Sequence, residues 1–397
     1  ELYPLRYVPS ERALKLHTKI ELKVVYQEGV VSPKPRTERQ IGVFSERLKG
    51  MVANPEDLLR WAPPLRSQPG RSFLLPADTV EYVIITTATY EPVFQQLADW
   101  KTKKGVPARI VRLSDISGYP GRDTEERMRN FIIDAESTWG TVWFLLGGDP
   151  SNSVVPTRLT TDFGFGPYSD LASDWYFADL DGDWDANGNS VFGEMGDQVD
   201  MYSDVMVGRA SVGSAAEAQK FVDKVLTYEK NAPTAYLKKE LHSAEELWPG
   251  YGGWIVCDSI AGVTPPDYTI AKLYQYLGNL NAQAVLDSID AGYQFVHFSA
   301  HGNTDVISTG MDAIYSWMVD GLTNGDKVGI HAAISCIVGE LDYEDCIVEH
   351  FMNNLNGGTI GWLGNSRYGW GSPPDLFASE LLDLRFFDYL FNSNLFH

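Results

Sequence analysis

Two apolar runs in the second half of the chain each end in a side chain suited to nucleophilic catalysis. The run 295–298 leads to His301 and Gly302, and the run 329–334 leads to Cys336. Short apolar runs bounded by turn residues are typical of strands in a parallel sheet, because helices cover both faces of such a sheet. If the two strands are neighbours, His301 and Cys336 meet at the carboxyl edge, where open α/β sheets place their chemistry.

This pair predicts a hydrolase that uses a cysteine nucleophile and a histidine base. The thiolate is the attacking form, and the oxygen of the tetrahedral intermediate needs hydrogen-bond donors. The backbone N–H groups of Gly302 and Cys336 are candidates for that oxyanion hole. The alternative is structural: Cys336 as a small buried hydrophobe and His301 as a strand-end histidine with a satisfied hydrogen bond. His297 and His331 lie inside the apolar runs, so we expect them to be structural.

A second pattern, in the acidic segment 179–194, predicts a calcium loop. The pattern has acids, amides and a glycine at alternate places and a glutamate at the twelfth, with a backbone carbonyl ligand at the seventh. No amphipathic helix precedes it, so it is not an EF-hand. The alternative is a solvated acidic turn, although so much charge without a cation is unfavourable. The predicted ligands are Asp183, Asp185, Asn187, Asn189 and Glu194, and Asp179 and Asp181 extend the acidic run.

Composition narrows the class of protein. With 397 residues the chain is longer than one ordinary core, so two or three domains are expected. A net charge of −21 repels nucleic acid and anionic membranes. No segment approaches the roughly 18 uninterrupted apolar residues of a membrane span. Three cysteines cannot form a disulfide framework and leave the compartment open. We therefore expect neither nucleic-acid binding nor a membrane span.

The order of predicted elements indicates an α/β fold in two similar halves. Residues 77–235 alternate between buried strands and amphipathic helices, and residues 236–397 repeat the pattern, with one helix expected around 270–277. Residues 1–76 differ, because a half-exposed strand within 15–26 is followed by repeated prolines. We expect this first segment to be a strand or two and then an extended connector.

An ordered series of motifs across residues 80–390 resembles the gingipain family of cysteine peptidases. That resemblance implies a caspase-like α/β fold, with doubly wound, mostly parallel sheets in two subdomains, preceded by a β-rich propeptide remnant over 1–76. Subdomain A is then 77–235 and subdomain B is 236–397. The motifs are Phe298–Gly302, Ser335–Gly339, Cys346–Phe351, Gly357–Gly361, Asn365–Trp370, Gly121–Asp123, Leu145–Asp149, Val155–Arg158 and Val207–Arg209.

The resemblance also implies roles for single residues. His301 becomes the general base and acid, and Cys336 becomes the nucleophile. An acidic residue approaches the histidine in this family, and Glu245 or Glu246 lies in the comparable place, with Glu245 preferred. Trp370 resembles the aromatic wall of the specificity pocket, with ordinary core packing as the alternative.

Substrate selection is the least specific part of the resemblance. The family cleaves after basic residues, which a pocket acid selects by pairing with their charge. Asp258 is the candidate acid, although its loop aligns poorly with the family pattern.

These patterns together predict a secreted or cell-surface, Ca²⁺-stabilised cysteine endopeptidase. Its expected partners are protein or peptide substrates and its own propeptide, and no organic cofactor is expected. Arg66 or Arg71 in the proline-rich connector is a candidate processing site. The alternative from another class is a catalytically silent, calcium-binding adhesion or scaffold module with the same fold.

Overall fold

The computed structural model describes most of the chain and builds it around two parallel sheets. The described residues are 5–8, 13–16, 19, 34–50, 52, 54–60, 62–66, 72, 74–151, 154–161, 170–343 and 345–392. Among them, no helix is both long and apolar enough to cross a membrane.

The described residues of the N-terminal segment include two strands, an α-helix and a short 3-10 helix at Pro55–Arg60. Strands β1 (Leu5–Val8) and β2 (Ala13–Leu16) pair antiparallel, and helix α1 (Glu38–Lys49) follows. Most of the strand predicted within 15–26 lies outside the described residues. Helix α1 lies where an extended connector was predicted, so that part of the prediction is wrong. The start of the helix was readable in the sequence. The Thr37 hydroxyl accepts the Gln40 N–H at 3.2 Å, and the Thr37 N–H donates back to Gln40 Oε1 at 2.9 Å.

Helix α1 is fixed to the first α/β unit by buried polar contacts. Gln40 is 2% exposed, and its amide donates to Glu136 Oε1 at 2.8 Å. Arg39 donates to Glu81 at 2.9 Å. A Cβ at Gly140, whose φ is +80°, would lie 2.4 Å from the methyl group of Thr37. The helix is therefore seated closely against residues 81–140.

Subdomain A is a four-stranded parallel sheet with helices on both faces. Its strand order is β4-β3-β5-β8. The elements are β3 (Tyr82–Thr86), α2 (Glu91–Lys103), β4 (Ala108–Arg112), α3 (Leu113–Ile116), α4 (Thr124–Trp139), β5 (Trp143–Gly147), β6 (Arg158–Thr160), β7 (Leu171–Ser173), β8 (Met206–Ala210) and α5 (Ala215–Asn231).

Subdomain B is a five-stranded parallel sheet in the order β12-β9-β13-β17-β18, with a small antiparallel ribbon, β14-β15-β16, beside it. The elements are β9 (Lys239–Ala244), β10 (Glu246–Trp248), β11 (Tyr251–Gly252), α6 (Trp254–Val263), β12 (Thr269–Tyr274), α7 (Ala282–Ala291), β13 (Phe295–Ser299), β14 (Gly302–Asn303), β15 (Val306–Ser308), β16 (Ala313–Tyr315), α8 (Ser316–Val319), β17 (Gly329–Ala333), α9 (Ile347–Asn353), β18 (Thr359–Leu363) and α10 (Ser379–Asn392).

The helix expected around 270–277 is wrong, because this stretch is mainly strand β12. Ile270, Leu273 and Leu277 have helical spacing, but Thr269–Tyr274 pairs in parallel with β9 over its whole length. Pairing with a sheet neighbour overrides a short periodic pattern. The α/β architecture with two parallel sheets is confirmed.

One hydrophobic cluster contains residues of both subdomains. It joins Phe94 and Val222 of subdomain A to Val296, Phe298 and Phe351 of subdomain B, all of them completely buried. The other face of strand β13 packs instead against α6 and α10, through Phe295 and its neighbours. Strand β13 is therefore covered on both sides, which explains its continuous apolar sequence.

Candidate active site

Strands β13 and β17 are neighbours, as the sequence predicted, and they bring His301 and Cys336 to one cleft. The two strands pair in parallel, with Phe295 opposite Ile330 and Phe298 opposite Ala333. The cleft beyond their carboxyl ends has a volume of about 350 Å³. It is lined by Leu247, Trp248, Ala300, His301, Ile334, Cys336, Tyr368, Gly369, Trp370, Gly371, Ser379 and Glu380.

The turn that carries Gly302 packs directly on the turn that carries Cys336. A Cβ at Gly302 would lie 2.8 Å from the Cβ of Ser335 and 2.9 Å from a methyl group of Val338. Both contacts are too close for any side chain. Gly302 is therefore required by packing, and its main chain lies beside the segment that presents Cys336.

The backbone turns sharply after the cysteine. Ile337 has a φ of +64°, which is unfavourable for a β-branched residue. Its N–H donates to the Arg367 carbonyl at 2.7 Å. The Gly369 N–H points at Cys336 Sγ, at 3.3 Å. A donor in this position stabilises negative charge on the sulfur.

The ring of His301 is oriented by a main-chain carbonyl. His301 Nε2 lies 3.0 Å from the Leu247 carbonyl oxygen, which can only accept a hydrogen bond. Nε2 must therefore carry the proton in the neutral ring, which leaves Nδ1 as the basic nitrogen. No sequence pattern reports a carbonyl acceptor, so this contact was not predicted.

Glu245, the predicted third acid, reaches His301 by a different route. Its carboxylate is nearly buried, at 3% exposure, and accepts the His301 backbone N–H at 2.5 Å and the Ser308 hydroxyl. Glu246 instead accepts the Gly250 N–H at 2.7 Å. Of the two candidates, Glu245 is the one beside His301. It fixes the backbone of that residue, not its ring.

Of the two predicted substrate contacts, Trp370 lies in the cleft and Asp258 does not. Trp370 lines the cleft, is 48% exposed and packs edge-on against Tyr368. Asp258 is not among the lining residues. It lies on α6, where it accepts hydrogen bonds from Lys272 at 2.7 Å and from the Tyr274 hydroxyl at 3.0 Å. The structure therefore does not bring Asp258 to the cleft, because α6 directs it towards β12.

Glu380 is a cleft residue that the sequence analysis missed. It stands in the first turn of α10, is 1% exposed, and accepts hydrogen bonds from the Tyr251 hydroxyl at 3.0 Å and the Phe377 N–H at 3.2 Å. Burial raises the pKa of its carboxyl group. Only its position after the Trp370 loop could have drawn attention to it, because an acid in a first helical turn is common.

A cysteine–histidine contact outside the cleft is completely buried. Cys257 Sγ lies 3.2 Å from His297 Nδ1, and the other ring nitrogen of His297 contacts Asp383. Burial alone would lower the pKa of His297, but the Asp383 carboxylate outweighs it and raises that pKa well above its usual value. Neither Cys257 nor His297 is exposed, which agrees with the structural role predicted for His297.

The predicted calcium ligands divide into two groups. In the loop itself, the side-chain amides of Asn187 and Asn189 both contact Glu194 Oε1, at 3.3 and 2.5 Å. The Asp185 carboxylate accepts a hydrogen bond from Arg122 at 2.5 Å, and its pKa is lowered by that contact. The Asp183 carboxylate accepts the Asp185 N–H at 3.2 Å. The guanidinium of Arg122, which is distant in sequence, thus neutralises part of the negative charge of the loop.

The second group lies at the base of the acidic segment. Carboxylate oxygens of Asp179, Asp181 and Asp204 come within 4.8 Å of one another. Asp179 is buried and also accepts the Gly182 N–H at 2.7 Å and the Trp184 indole N–H at 3.0 Å. Asp179 and Asp181 therefore belong to a different cluster from Asp183 and Glu194.

The chain is similar in sequence to proteins of one peptidase family. The model for peptidase family C25 matches residues 75–397. Gingipain R1 of Porphyromonas gingivalis is 21% identical over 387 residues, which cover 93% of this chain and 35% of that protein. Gingipain R2 of the same species is 21% identical, covering 93% of this chain and 47% of that protein. The chain thus spans about a third to a half of the length of these curated relatives.

Solved structures share the fold. The crystal structure of the Arg-specific cysteine proteinase gingipain R matches with a TM-score of 0.60 and 20% identity, covering 77% of this chain and 66% of that chain. The complex of the Porphyromonas gingivalis RgpB pro- and mature domains matches with a TM-score of 0.58 and 19% identity, covering 74% and 64%. At such low identity the likeness shows the fold alone. Because the family model matches more than half of the residues, the chain belongs to peptidase family C25, the gingipain family.

Proposed function

We propose that the chain is a cysteine endopeptidase that cleaves peptide bonds at the His301–Cys336 cleft. One observation carries this proposal: His301 and Cys336 line the same cleft at the carboxyl ends of two neighbouring parallel strands. The contact of His301 Nε2 with Leu247 leaves Nδ1 as the base. His301 Nδ1 accepts the thiol proton of Cys336, and the thiolate attacks the carbonyl carbon of the peptide bond. The imidazolium returns that proton to the leaving amine as the carbon–nitrogen bond breaks. A thioester on Cys336 remains.

Water completes the reaction. His301 Nδ1 takes a proton from the attacking water, the carbon–sulfur bond breaks, and the thiolate is recovered with a free carboxylic acid product. In both half-reactions, the backbone N–H groups of Gly302 and Cys336 donate to the oxyanion of the tetrahedral intermediate. The close packing of Gly302 on Ser335 supports this assignment, because it sets the two main-chain segments side by side.

Within the same proposal, the substrate side chain before the cleaved bond is basic, Arg or Lys. Trp370 provides an apolar wall for its methylene groups, and Glu380 provides the charge that Asp258 does not. The two hydrogen bonds that Glu380 already accepts leave acceptor capacity on its carboxylate. A guanidinium or ammonium group at the carboxylate would favour its ionised form.

Calcium stabilises the acidic segment in this proposal. The side-chain oxygens of Asp183, Asp185, Asn187 and Glu194 and the carbonyl of Asn189 are hard ligands of the kind that Ca²⁺ takes. The loop brings Asn187, Asn189 and Glu194 close together, which supports this set. The amide N–H groups that bond Glu194 and the pairing of Asp185 with Arg122 do not support it. The ion has no part in the reaction and acts on stability only.

The proposal also includes secretion and a propeptide. Residues 1–76 are the end of that propeptide, and Arg66 or Arg71 is the processing site. The Arg66 side chain donates to the Thr138 and Pro35 carbonyls, each at 3.4 Å, while Arg71 lies outside the described residues.

Active-site labelling tests the proposal. Peptidyl acyloxymethylketones bearing Arg, Lys or an uncharged residue are added to wild-type protein, to Cys336→Ala and to Cys257→Ala. Mass spectrometry should find label on Cys336 in wild type and in Cys257→Ala, and no label in Cys336→Ala. The Cys257→Ala control shows that the other cysteine with a histidine neighbour is not the target. No label on processed wild-type protein with any of the reagents would instead favour a catalytically silent module.

A further inference from the structure

Three loops of the cleft are joined by a polar network that includes no proposed catalytic group. We call Thr304, Glu340, Asp342 and Arg367 the Arg367 network. The Arg367 guanidinium donates to Asp342 through two nitrogens, at 2.8 and 3.1 Å, and lies 3.5 Å from Glu340. Glu340 accepts the Thr304 hydroxyl at 2.6 Å. Thr304 follows Gly302, Glu340 and Asp342 follow Cys336, and Arg367 follows strand β18.

The network continues into the main chain of the cysteine turn. The Arg367 carbonyl accepts the N–H of Ile337, the residue held at a φ of +64° immediately after Cys336. Two residues further on, the Gly339 N–H donates to the Asn365 carbonyl at 3.0 Å. A strained backbone persists only where its surroundings fix it. The Arg367 main chain, held by its clamped side chain, therefore supports the strained turn that follows Cys336.

The network also reaches the histidine turn and subdomain A. The Thr304 carbonyl accepts the Ile347 N–H at 2.7 Å, and the Thr304 hydroxyl is the one bound by Glu340. The Arg367 guanidinium also donates to the carbonyl of Asp170, which lies in subdomain A. One side chain, only 9% exposed, thus connects both turns of the cleft to the rest of the molecule.

We propose that Arg367 is a positioning residue, which holds the N–H groups of Gly302 and Cys336 in register as a pair of oxyanion donors. This inference rests on the proposed peptidase function. Two donors that belong to separate turns act on one oxygen atom only if the turns keep a fixed separation, and loss of about 1 Å in placement can cost about 100-fold in rate. Arg367 itself contacts neither substrate nor the reacting atoms in this mechanism.

A matched arginine elsewhere separates positioning from general stability. Arg158 is 6% exposed and donates to Asp123 through two nitrogens, at 2.9 and 2.7 Å. Its partners belong to subdomain A and do not line the cleft. Replacing Arg158 or Arg367 by Ala removes a bidentate pair with a carboxylate in each case, so both changes are expected to lower the melting temperature.

The test compares acyl transfer with simple alkylation of the same thiol. Cleavage of a peptide amide needs the oxyanion donors, whereas alkylation by iodoacetamide needs only the thiolate. Arg367→Ala should lower kcat about 100-fold and leave the iodoacetamide rate at Cys336 unchanged. Arg367→Lys, which keeps the charge and loses the bidentate geometry, should have a kcat between those of wild type and Arg367→Ala.

Arg158→Ala should keep the wild-type kcat. Thr304→Val, which removes only the link between Glu340 and the histidine turn, should lower kcat about 10-fold and lower the melting temperature less than Arg367→Ala does.

Each contrary result has a distinct meaning. Wild-type kcat in both Arg367→Lys and Thr304→Val would overturn the inference, even if Arg367→Ala failed to fold. If Arg158→Ala lost as much kcat as Arg367→Ala, the loss would be explained by lower stability alone, and the inference would be overturned as well. Slower alkylation of Arg367→Ala would show that the thiol itself had moved, which also contradicts it. Wild-type protein without peptidase activity would overturn the proposed function instead.

Discussion

Glu245 and His301 are joined through the histidine backbone. The carboxylate accepts the His301 N–H at 2.5 Å, while the ring of His301 donates to the Leu247 carbonyl. Where an acid orients a catalytic ring directly, changing it to the amide has cost about 10⁴ in kcat. The contact seen here places Glu245 one step further from the chemistry, as a residue that fixes the main chain.

Glu245→Gln should therefore lose far less activity than the same change at a ring-orienting acid. The amide oxygen can still accept the His301 N–H, so kcat is expected to fall about 10-fold or less, far from the 10⁴ of a ring-orienting acid. Glu245→Ala should cost more, because it leaves a buried N–H without its acceptor. Steady-state kinetics of both variants on one substrate decide the matter. A collapse of kcat in Glu245→Gln comparable to that in His301→Ala would mean that the acid acts on the ring after all.

Glu380 should set the preference for basic substrates. Removing its charge in Glu380→Gln keeps the shape of the cleft and takes away the partner of a cationic side chain. We expect kcat/KM for Arg and Lys substrates to fall roughly 10- to 100-fold relative to a norleucine substrate, which is the range for a hydrogen bond to a charged group. Asp258→Asn is the control, because Asp258 lies outside the cleft and should leave the ratio unchanged. A larger effect of Asp258→Asn than of Glu380→Gln would restore the prediction made from sequence.

The buried carboxyl of Glu349 should make stability fall as pH rises. Burial raises its pKa from 4.5 to about 7, so the folded state holds this proton more tightly than the unfolded state. Between those two values the folded state loses roughly 3 kcal/mol relative to the unfolded state, and above about pH 7 the loss is complete. Glu349→Gln should remove this pH dependence, because the amide does not titrate. The Ser211 hydroxyl, which donates to the carboxylate at 2.5 Å, can donate to the amide oxygen instead.

Denaturant unfolding at several pH values measures the effect. The free energy of unfolding of Glu349→Gln, minus that of wild type, should grow from pH 4.5 to pH 7 and then stay constant. A difference that is independent of pH would mean that Glu349 is ionised in the folded protein throughout this range.

Removal of calcium should lower thermal stability if the acidic segment binds the ion. Excess chelator is expected to lower the melting temperature of wild type, and added Ca²⁺ should restore it, since a ligand that binds only the folded state stabilises it. Asp183→Asn and Glu194→Gln should abolish the response, whereas Asp181→Asn should keep it. The reverse ranking would move the ion to the cluster of Asp179, Asp181 and Asp204. An unchanged melting curve with chelator would exclude both positions.

The parts of the site that depend on the positions of strands could be predicted from the sequence. The parts that depend on the direction of a side chain could not. The apolar runs before His301 and Cys336 defined buried neighbouring strands, because few other structures accept such runs. The resemblance to the gingipain family, and not the strand pattern, placed Trp370 in the cleft. Neither could find Leu247, since a carbonyl acceptor is independent of residue type.

Distant partners account for the other differences. Asp258 was chosen as an acid about a dozen residues after Glu245, but α6 turns it towards Lys272. Asp185 fits the calcium pattern, but Arg122, far away in sequence, meets its charge. Residues 269–274 have a helical apolar pattern, but β9 offers them a sheet edge. In each case a contact between segments far apart in the chain decided the outcome, and local patterns carry no information about such contacts.

The seating of helix α1 has a consequence for any cut in the connector behind it. The Gln40 amide is buried against Glu136, Arg39 is bound to Glu81, and Thr37 fills the space over Gly140. A cut after Arg66 or Arg71 therefore leaves a nicked particle whose smaller chain stays attached without a covalent bond. Edman sequencing of the active material should report two N-termini in equal amounts. A denaturing gel should resolve a short fragment that gel filtration in buffer does not remove.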